Sequence, residues 1–312
     1  MVTLEVFTVI RKSSEIPMRL NLLSTTIDYQ IVTNVNKFLC LTLAIGLFFV
    51  TTLSNPNLAI AEEFLPFFDN INNPVTVKVG GVQDLTPPPP LLNDFDQAVN
   101  QLCGKLGTVV TPANFQTMLN SFPTVLSNIK NNVGGYIFPN RTSNTEFLED
   151  LTSLWFNAEG FDHVFCGEPA ETKIGGLHYA GRYLDLQNRG LAGILPKSVS
   201  KSEVDPGAVY SFGVRMKVGD RTVSDPFKGY GYTLNAEEIL TIAAKAYKNN
   251  PSLEPTPKAC LLSVTDNGKT FANIFVTKKG AIRTFYPDAT PDSKKLQNVR
   301  FSNLRLQQIE IQ

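Results

Sequence analysis

Apolar residues recur at helical spacing through the region 93–144. The first stripe follows Asp94, a residue that can cap a helix. The second follows Thr111-Pro112, an N-cap residue with proline at the first helical position. Pro123 should end or kink that helix, because proline removes a hydrogen bond from a helix interior. The pattern predicts a helical N-terminal region.

Two capping-box patterns predict helices further along the chain. Ser143 precedes Glu146 by three residues, ahead of an apolar stripe that ends near Trp155. Asn235 has the same relation to Glu238, ahead of a second stripe. In such a box each side chain accepts a hydrogen bond from the backbone N–H of the other residue. We therefore expect a helix after each box, with its stripe in the core.

Alternation with a period of two predicts strands in the C-terminal half. Apolar and polar residues alternate over 210–218, and three further strands are predicted at 259–265, 270–277 and 281–286. Short turns ending in glycine join the last three, so these strands should be antiparallel. The fold class predicted for this half is α+β, not a succession of strand–helix–strand units.

The composition allows a sizeable core and excludes several classes of protein. The chain has 312 residues, of which 43% are hydrophobic and 18% charged, and its formal net charge is zero. These values exclude collagen-like, wholly disordered and disulfide-dense proteins. A neutral balance argues against a basic protein that coats nucleic acid. It leaves a nuclease open, since a nuclease needs positive potential along one cleft only.

The first 61 residues have the pattern of a leader. Lys37 precedes an apolar run at 38–50, and Ala59-Ile60-Ala61 offers a small-x-small cleavage site. The run fits a signal peptide and is shorter than the roughly 20 residues that span a membrane. We expect 1–61 to be a signal peptide, with an uncleaved anchor through 38–53 as the alternative. Both predict an exported protein, secreted or periplasmic.

A proline-rich segment follows the leader. It covers 62–92 and includes the run Pro87–Pro90, with few periodic apolar positions. Such a composition is typical of an extended linker, so we expect low order there.

Four cysteines leave one disulfide possible outside the leader. Cys40 lies within the leader, and Cys103, Cys166 and Cys260 follow it. No C-x-x-C pair is present, which argues against a structural zinc site. One disulfide and one free thiol fit an oxidising compartment, and the spacing leaves the pairing open.

The two histidines of the chain, His163 and His178, fall within one short glycine-rich segment. Histidine can act as an acid or a base near neutral pH. A pair suffices for RNA transesterification: one imidazole removes the proton of the ribose 2′-OH, and the other protonates the departing 5′-oxygen. A nearby cation would stabilise the charged phosphate. No metal-bound water is needed, because the nucleophile belongs to the substrate.

The neighbours of the histidines add to this chemistry. Gly175-Gly176 can bring the backbone close to a ligand and open a helix whose N–H groups favour an anion, with His178 in its first turn. Asp162 or Glu168 could orient a histidine. A zinc fragment is the alternative, but ligands at three- or four-residue spacing are lacking. Cys166 as a thiol nucleophile is a second alternative.

The paired-histidine segment resembles the signature of the EndoU family. The resemblance rests on 160–168, with the sequence GFDHVFCGE, and on Gly176-Leu177-His178. The family includes animal poly(U)-specific endoribonucleases and the coronavirus uridylate-specific endoribonuclease. Asp162 stands where the animal enzymes commonly have glutamate.

Further residues match the family after the second histidine. The catalytic lysine of the family matches Lys228, within DPFKGY ahead of a predicted helix, with Lys173 and Lys217 as rivals. Thr284 and Tyr286 match a strand that contributes to the uridine pocket. Two residues apart on a strand, they share a face, so a hydroxyl can read the base while a ring stacks on it. Thr233 matches a hydroxyl residue that helps to select uracil.

The resemblance implies an α+β fold with antiparallel sheets flanking a catalytic cleft. The nuclease domain would cover 145–290, followed by a tail at 291–312. The implied reaction cleaves RNA 3′ of uridines to 2′,3′-cyclic phosphate and 5′-OH ends. His178 would be the general base, His163 the general acid and Lys228 the charge stabiliser; the reverse assignment of the histidines stays open.

The resemblance also implies partners and leaves two rival functions. We expect no required cofactor and no metal site, with Mn²⁺ stimulation compatible with the family. The expected partner is uridine-containing, single-stranded RNA and not DNA, with an inhibitor or immunity protein as a further candidate. The rivals are an EndoU-like module that binds RNA without cutting it, and a secreted toxin-type effector nuclease.

Overall fold

The computed structural model describes residues 64–292 and the backbone of 307–310. The chain divides into two units, Met1–Glu62 and Glu63–Gln312, and the description concerns the second. The predicted leader, including the apolar run 38–50 and Cys40, lies outside the described residues. None of the helices among those residues is long and apolar enough to cross a membrane.

The predicted helical region contains three helices, and a fourth follows it at the predicted Ser143 capping box. They are α1 (Asp94–Cys103), α2 (Pro112–Ser121), α3 (Pro123–Asn132) and α4 (Asn144–Phe156). Thr111 caps α2, and α3 begins at Pro123, as predicted. The predicted cap at Asp94 was wrong, because Asn93 caps α1. Asn93 shares a capping box with Asp96, and such a box requires a spacing of three residues, which Asp94 lacks.

The first of two four-stranded sheets is built around one long strand. Its strands are β5 (Ala192–Ile194), β6 (Glu203–Asp205), β7 (Val209–Val218) and β8 (Arg221–Gly231). All of the others pair antiparallel with β7. The helix α5 (Ala180–Asn188) precedes this sheet, and a 3-10 helix at Pro196–Lys201 joins β5 to β6. A short antiparallel ribbon, β3 (Glu168–Pro169) and β4 (Ile174–Gly175), comes before α5.

The second sheet follows the helix α6 (Ala236–Asn249), which begins with the predicted Asn235 capping box. Its strands are β9 (Lys258–Asp266), β10 (Lys269–Lys278), β11 (Ala281–Pro287) and β12 (Gln307–Glu310). The three predicted strands are confirmed as an antiparallel meander. β12 adds to β9 in parallel, so part of the predicted tail at 291–312 belongs to the sheet.

The segment predicted to be a linker is instead packed against the first sheet. A two-stranded ribbon, β1 (Pro74–Thr76) and β2 (Val82–Asp84), lies within it. Phe67 and Phe68 are buried, and the ring of Phe67 stacks on that of Phe212. The expected low order was wrong because two buried aromatic side chains outweigh the extended preference of the prolines.

Two large apolar clusters form most of the core. One joins helices α1 to α4 and α6 to a face of the second sheet, and it contains Phe115, Trp155 and Phe275. The other joins the first sheet to α5 and to the segment around Phe67. The α+β fold with antiparallel sheets is therefore confirmed. Between α4 and α5 the chain crosses from one cluster to the other, and both histidines lie on this crossing.

Candidate active site

The two histidine segments are joined to each other through their backbones. His163 lies in a single π-helical turn, Asp162–Cys166. The N–H of Leu177 donates to the carbonyl of His163 (2.7 Å), and the N–H of His178 donates to that of Val164 (2.8 Å). These bonds bring the two imidazole ring centroids to 5.6 Å from each other.

Gly176 makes this close approach possible. Its φ is +59°, and a side-chain carbon there would collide with the carbonyl of His163. The sequence predicts that Gly176 brings the backbone close to a ligand, but the structure places it against His163 instead. The N–H groups of Leu177 and His178 are likewise occupied, and His178 lies before α5 and not in its first turn.

Glu168 is the carboxylate that orients His163. Its Oε2 lies 2.6 Å from Nδ1 of His163. Arg283 lies against the same pair, with Nη2 3.0 Å from Oε2 of Glu168 and 3.0 Å from Nδ1 of His163. Burial alone would raise the pKa of Glu168, but the hydrogen bonds from His163 and Arg283 outweigh it and hold that pKa below its usual value. Glu168 is therefore ionised at neutral pH.

Asp162, the other candidate to orient a histidine, has different partners. Its carboxylate accepts the N–H of Val110 at 3.2 Å, and its carbonyl accepts the N–H of Gly167 at 2.9 Å. Burial raises the pKa of Asp162 to about 6. Its contacts hold the π-helical turn against the loop that precedes α2, so its role in the described structure is to support the turn.

His178 is held between the two sheets. Its Nδ1 lies 3.1 Å from the carbonyl oxygen of Gly229 on β8, and its ring stacks on that of Tyr286 on β11, with centroids 4.9 Å apart. A carbonyl only accepts, so Nδ1 carries the proton and Nε2 keeps a lone pair. Burial, and then the charges of His163 and Lys228, lower the pKa of His178 to about 3. The imidazole is therefore neutral and can act as a base.

Lys228 approaches His178 from β8. A bulge in β8 sets Pro226 and Phe227 opposite Gly213, immediately before Lys228. Such a bulge redirects the side chains that follow it. Nζ of Lys228 lies 3.3 Å from Oδ2 of Asp225, and the side chain is largely buried. The rival lysines Lys173 and Lys217 are both exposed. Of the three, Lys228 is thus the one beside the histidines.

The two predicted base-reading hydroxyls do not line an open pocket. Thr284 shares a face of β11 with Tyr286, as predicted, since they pair with Val276 and Ile274 of β10. The Oγ1 atoms of Thr284 and Thr233 are both buried, however, and neither has a hydrogen-bond partner among the described residues. Tyr286 is the predicted substrate residue that borders open space.

That open space is a cleft of about 750 Å³ on one side of Tyr286. Phe227 and Pro226 of the bulge form part of its wall, together with Ile274 of β10. Lys201 and Lys78 lie further along it, the latter paired with the buried Glu203. The cleft has room for a nucleotide next to the histidine pair.

The helical region contributes two connections to the active site. The buried carboxylate of Asp96 on α1 accepts the hydroxyl of Tyr179 (2.8 Å) and the N–H of Ala236 (2.9 Å). Burial raises the pKa of Tyr179, which keeps this hydroxyl a donor. A disulfide joins Cys103, the last residue of α1, to Cys166, the last residue of the π-helical turn. α1 is thus bonded to residues adjoining both histidine segments.

The disulfide also answers the question that the cysteine spacing leaves open. Cys103 pairs with Cys166, and Cys260 on β9 is a free thiol. Cys166 is therefore not available as a nucleophile while the disulfide is present. In the described part of the chain, no group of three or more His, Cys, Asp and Glu side chains is arranged to hold a metal ion.

Sequence reasoning missed Arg283, Asp225 and Gly229. Arg283 precedes Thr284 within the matched motif, so its position gave a signal. It was overlooked because the alternation of a strand assigns Arg283 and Thr284 to opposite faces. For Asp225 the sequence shows only that it precedes Pro226, a pair that is typical of a turn. Gly229 acts through its backbone carbonyl, for which the sequence carries no signal.

Fold and site together define an α+β protein with two neighbouring histidines and an adjacent lysine. Residues 157–289 match the model of the family described as bacterial EndoU nuclease. For this segment, the family and enzyme class predicted from the sequence, an EndoU-type endoribonuclease, are therefore confirmed.

Solved structures with partial similarity include two endoribonucleases. One is XendoU, described as a splicing-independent snoRNA-processing endoribonuclease, with 17% identity over 62% of this chain and 76% of that one, at a TM-score of 0.41. The other is the endoribonuclease Nsp15 of Middle East Respiratory Syndrome Coronavirus, with 15% identity, coverage of 45% and 37%, and a TM-score of 0.32. No curated protein matches the chain.

Proposed function

We propose that the protein is an exported endoribonuclease that cleaves RNA 3′ of uridines by transesterification. The products are a 2′,3′-cyclic phosphate and a 5′-OH end. The observation that carries this proposal is the unlike environment of two imidazoles 5.6 Å apart. His178 is buried with a carbonyl partner, whereas His163 has an ionised carboxylate as its partner.

The two environments support opposite roles. A neutral His178 takes the proton of the 2′-OH on Nε2, the ring nitrogen that Gly229 leaves unbonded. The 2′-oxygen then attacks the phosphorus. His163, whose Nδ1 donates to the ionised carboxylate of Glu168, gives a proton from Nε2 to the departing 5′-oxygen. With their centroids 5.6 Å apart, both rings can reach the same phosphodiester group.

Lys228 supplies the positive charge for the pentacoordinate phosphate. It lies beside His178, and its charge contributes to the lowered pKa of that histidine. Asp225 holds its ammonium group, so the lysine needs little reorganisation as negative charge develops.

We propose that uridine is bound at Tyr286, in the cleft, with the hydroxyls of Thr284 and Thr233 reading the base after a local opening. Both hydroxyls are buried without partners, and a buried polar group of this kind gains a hydrogen bond when a ligand reaches it. The RNA would be single-stranded, because an unstacked base is needed for such contacts.

Export is supported by two features. The leader pattern at 1–61 precedes the domain, and the disulfide between Cys103 and Cys166 is typical of proteins from oxidising compartments. An exported nuclease can be paired with an inhibitor or immunity protein in its producing cell, and it can serve as a toxin-type effector. We further propose that no step requires a metal ion, with Mn²⁺ acting at most as a stimulator.

The test uses a short RNA with a single uridine, incubated with the full chain in EDTA and separately in Mn²⁺. Wild type should cleave after the uridine in both buffers and leave a cyclic phosphate, whereas His178→Ala and His163→Ala should not. A matched RNA with cytidine tests base selection. Binding of RNA without cleavage by wild type would instead favour the non-catalytic RNA-binding module.

A further inference from the structure

Arg283 makes a two-point contact with the carboxylate that orients the catalytic acid. Its Nη1 lies 3.2 Å from Oε1 of Glu168, and its Nη2 lies 3.0 Å from Oε2. Such a fork fixes the plane of the carboxylate as well as its distance. Oε2 is also the atom that meets Nδ1 of His163, so one oxygen is shared by the arginine and the histidine.

The backbone of the preceding turn holds the guanidinium in place. Nη1 of Arg283 donates to the carbonyls of Ala158 (3.3 Å) and Glu159 (3.1 Å). Glu159 has a φ of +58°, so the chain reverses there between α4 and the π-helical turn of His163. Arg283 therefore bonds both to the backbone just before the π-helical turn and to the carboxylate that His163 contacts.

The donors and acceptors allow one arrangement at Nδ1 of His163. A guanidinium only donates, so Arg283 could bond to Nδ1 only if that nitrogen were unprotonated. The Glu168 carboxylate only accepts and requires Nδ1–H, at the shorter distance of 2.6 Å. A charge-assisted bond to a carboxylate is the stronger of the two. Nδ1 therefore carries the proton, and Arg283 faces it as a neighbouring positive charge.

We propose that Arg283 is a positioning residue that sets the acid strength of His163. It holds Glu168 in the orientation that keeps the proton on Nδ1, and its charge offsets part of the attraction of Glu168 for the imidazolium. Glu168 thus orients His163. Because Arg283 weakens the attraction of Glu168 for the imidazolium, His163 can still release a proton to the 5′-oxygen. This inference rests on the proposed function, in which His163 is the general acid.

Few other charges face the imidazole of His163. Glu159 lies beyond Arg283, with a carboxylate oxygen 3.7 Å from Nη1, and is largely exposed. Asp162 precedes His163 in the π-helical turn, and His178 and Lys228 lie on the side of the base. Arg283 and Glu168 are the pair in direct contact with Nδ1, so removing one of them changes the local charge most.

The test compares pH–rate profiles of the full chain on the single-uridine RNA. Arg283→Gln removes the charge and should move the alkaline limb of the profile to higher pH by about one unit, because the imidazolium loses a like-charged neighbour. The maximal rate should fall by up to about tenfold, since a weaker acid protonates the leaving group more slowly. Arg283→Lys keeps the charge without the fork, so the rate should fall while the limb keeps its position.

Arg221→Gln is the matched control. Arg221 also donates from Nη1 to two backbone carbonyls, those of Ala170 and Glu171, at an exposed position. Its profile should match that of wild type. A loss of rate in Arg283→Gln that is equal at every pH, with the alkaline limb unmoved, would mean a structural role only and would overturn the proposal.

A second measurement depends neither on RNA cleavage nor on whether a variant of Arg283 folds. The chain has two histidines, so ¹⁵N-histidine labelling gives two imidazole signals, which His178→Asn assigns. At alkaline pH neutral His163 should carry its proton on Nδ1; a proton on Nε2 would overturn the arrangement. If wild type shows the Nδ1 tautomer but does not cleave RNA, the proposed function fails and the positioning of His163 stands. If it cleaves and shows the Nε2 tautomer, the inference fails alone.

Discussion

Nδ1 of His178 donates a hydrogen bond to the backbone carbonyl of Gly229, 3.1 Å away. His178, the proposed base, is thus oriented by a neutral backbone dipole, whereas His163, the proposed acid, is oriented by the carboxylate of Glu168. Burial outweighs the small effect of this carbonyl and lowers the pKa of His178. Two chemically identical side chains therefore have different environments, in line with the different roles proposed for them.

Burial of a neutral His178 should make folding stability depend on pH. The pKa of His178 falls from 6.5 to about 3 on folding. Between these values the unfolded chain binds the proton and the folded chain does not, so His178 destabilises the fold as the pH falls below 6.5. His178→Asn can keep the bond to Gly229 but cannot titrate. The loss of thermal stability from pH 7 to pH 4.5 should therefore be smaller in the variant than in wild type.

The carboxyls with raised pKa act in the opposite direction in this experiment. Burial raises the pKa of Asp162 to about 6 and that of Glu238 to about 7, so both favour the folded state as the pH falls. They are present in wild type and variant alike, and the difference between the two isolates His178. An equal loss in both proteins would contradict a buried, neutral His178.

Removal of the Lys228 ammonium should lower the maximal cleavage rate and leave the fold intact. Lys228→Ala should reduce kcat by about 10²- to 10³-fold, the usual effect of losing one group that stabilises transition-state charge. Lys217→Ala is the control, since Lys217 is exposed on β7. Single-turnover rates and thermal unfolding check the two expectations. A Lys228→Ala variant that cleaves RNA at the wild-type rate would show that Lys228 does not stabilise the transition state.

Gly176 should tolerate no side chain, for reasons of space and conformation. In Gly176→Ala the new methyl group meets the carbonyl of His163, so the fold should lose several kcal/mol and the cleavage rate should fall with it. Gly190→Ala has a similar φ of +64° with nothing within 4 Å, and should lose about 1 kcal/mol at unchanged rate. Urea unfolding of both variants separates collision from conformational strain. Equal losses would argue against the collision.

Loss of the disulfide should destabilise the protein. The bond closes a span of 63 residues between Cys103 and Cys166, for which loss of chain entropy predicts about 4 kcal/mol. Cys103→Ser with Cys166→Ser should therefore unfold at lower temperature, and reductant should bring wild type close to the variant. Cys260→Ser should behave as wild type in both conditions. Stability that is insensitive to reductant would contradict the pairing.

Thr284 should be dispensable for folding but not for base selection. Its hydroxyl is buried and unpaired within the described residues, so Thr284→Val should change the free energy of unfolding by less than about 1 kcal/mol. Thr241→Val is the comparison. The buried hydroxyl of Thr241 donates to the carbonyl of Glu237, so its removal should lower the free energy of unfolding. If Thr284 reads uracil, the uridine-to-cytidine ratio of cleavage rates should fall in Thr284→Val. An unchanged ratio would remove Thr284 from base recognition.

Local signals in the sequence predicted most of the elements. Thr111, Ser143 and Asn235 cap their helices as expected, because a cap depends on residues three positions apart at most. The meander β9 to β11 follows from alternation and its glycine turns. The two histidines stood out because the chain has no others, and their chemistry is specific enough to suggest the reaction.

What the sequence could not predict depends on contacts between distant residues. β8 was missed because Asp225-Pro226 has the pattern of a turn, and only pairing with β7 makes the bulge a part of a strand. Phe67 and Phe68 were assigned to a linker because their burial requires the first sheet. The partner of His163 was left open between Asp162 and Glu168, and the fold decides it through a π-helical turn that no local pattern indicates.

The contacts of Asp96 mean that the catalytic half of the chain is not a self-sufficient module. The family match begins at residue 157, yet Asp96 lies far upstream and accepts hydrogen bonds from Tyr179 and from the first residue of α6. A fragment cut at the family boundary would lose this carboxylate, along with Cys103. The buried donors of Tyr179 and Ala236 would then have no acceptor. The segment that matches the family and the segment that folds cooperatively therefore begin at different residues of this protein. Shortening the chain to 157–289 would remove the scaffold on which that segment is assembled.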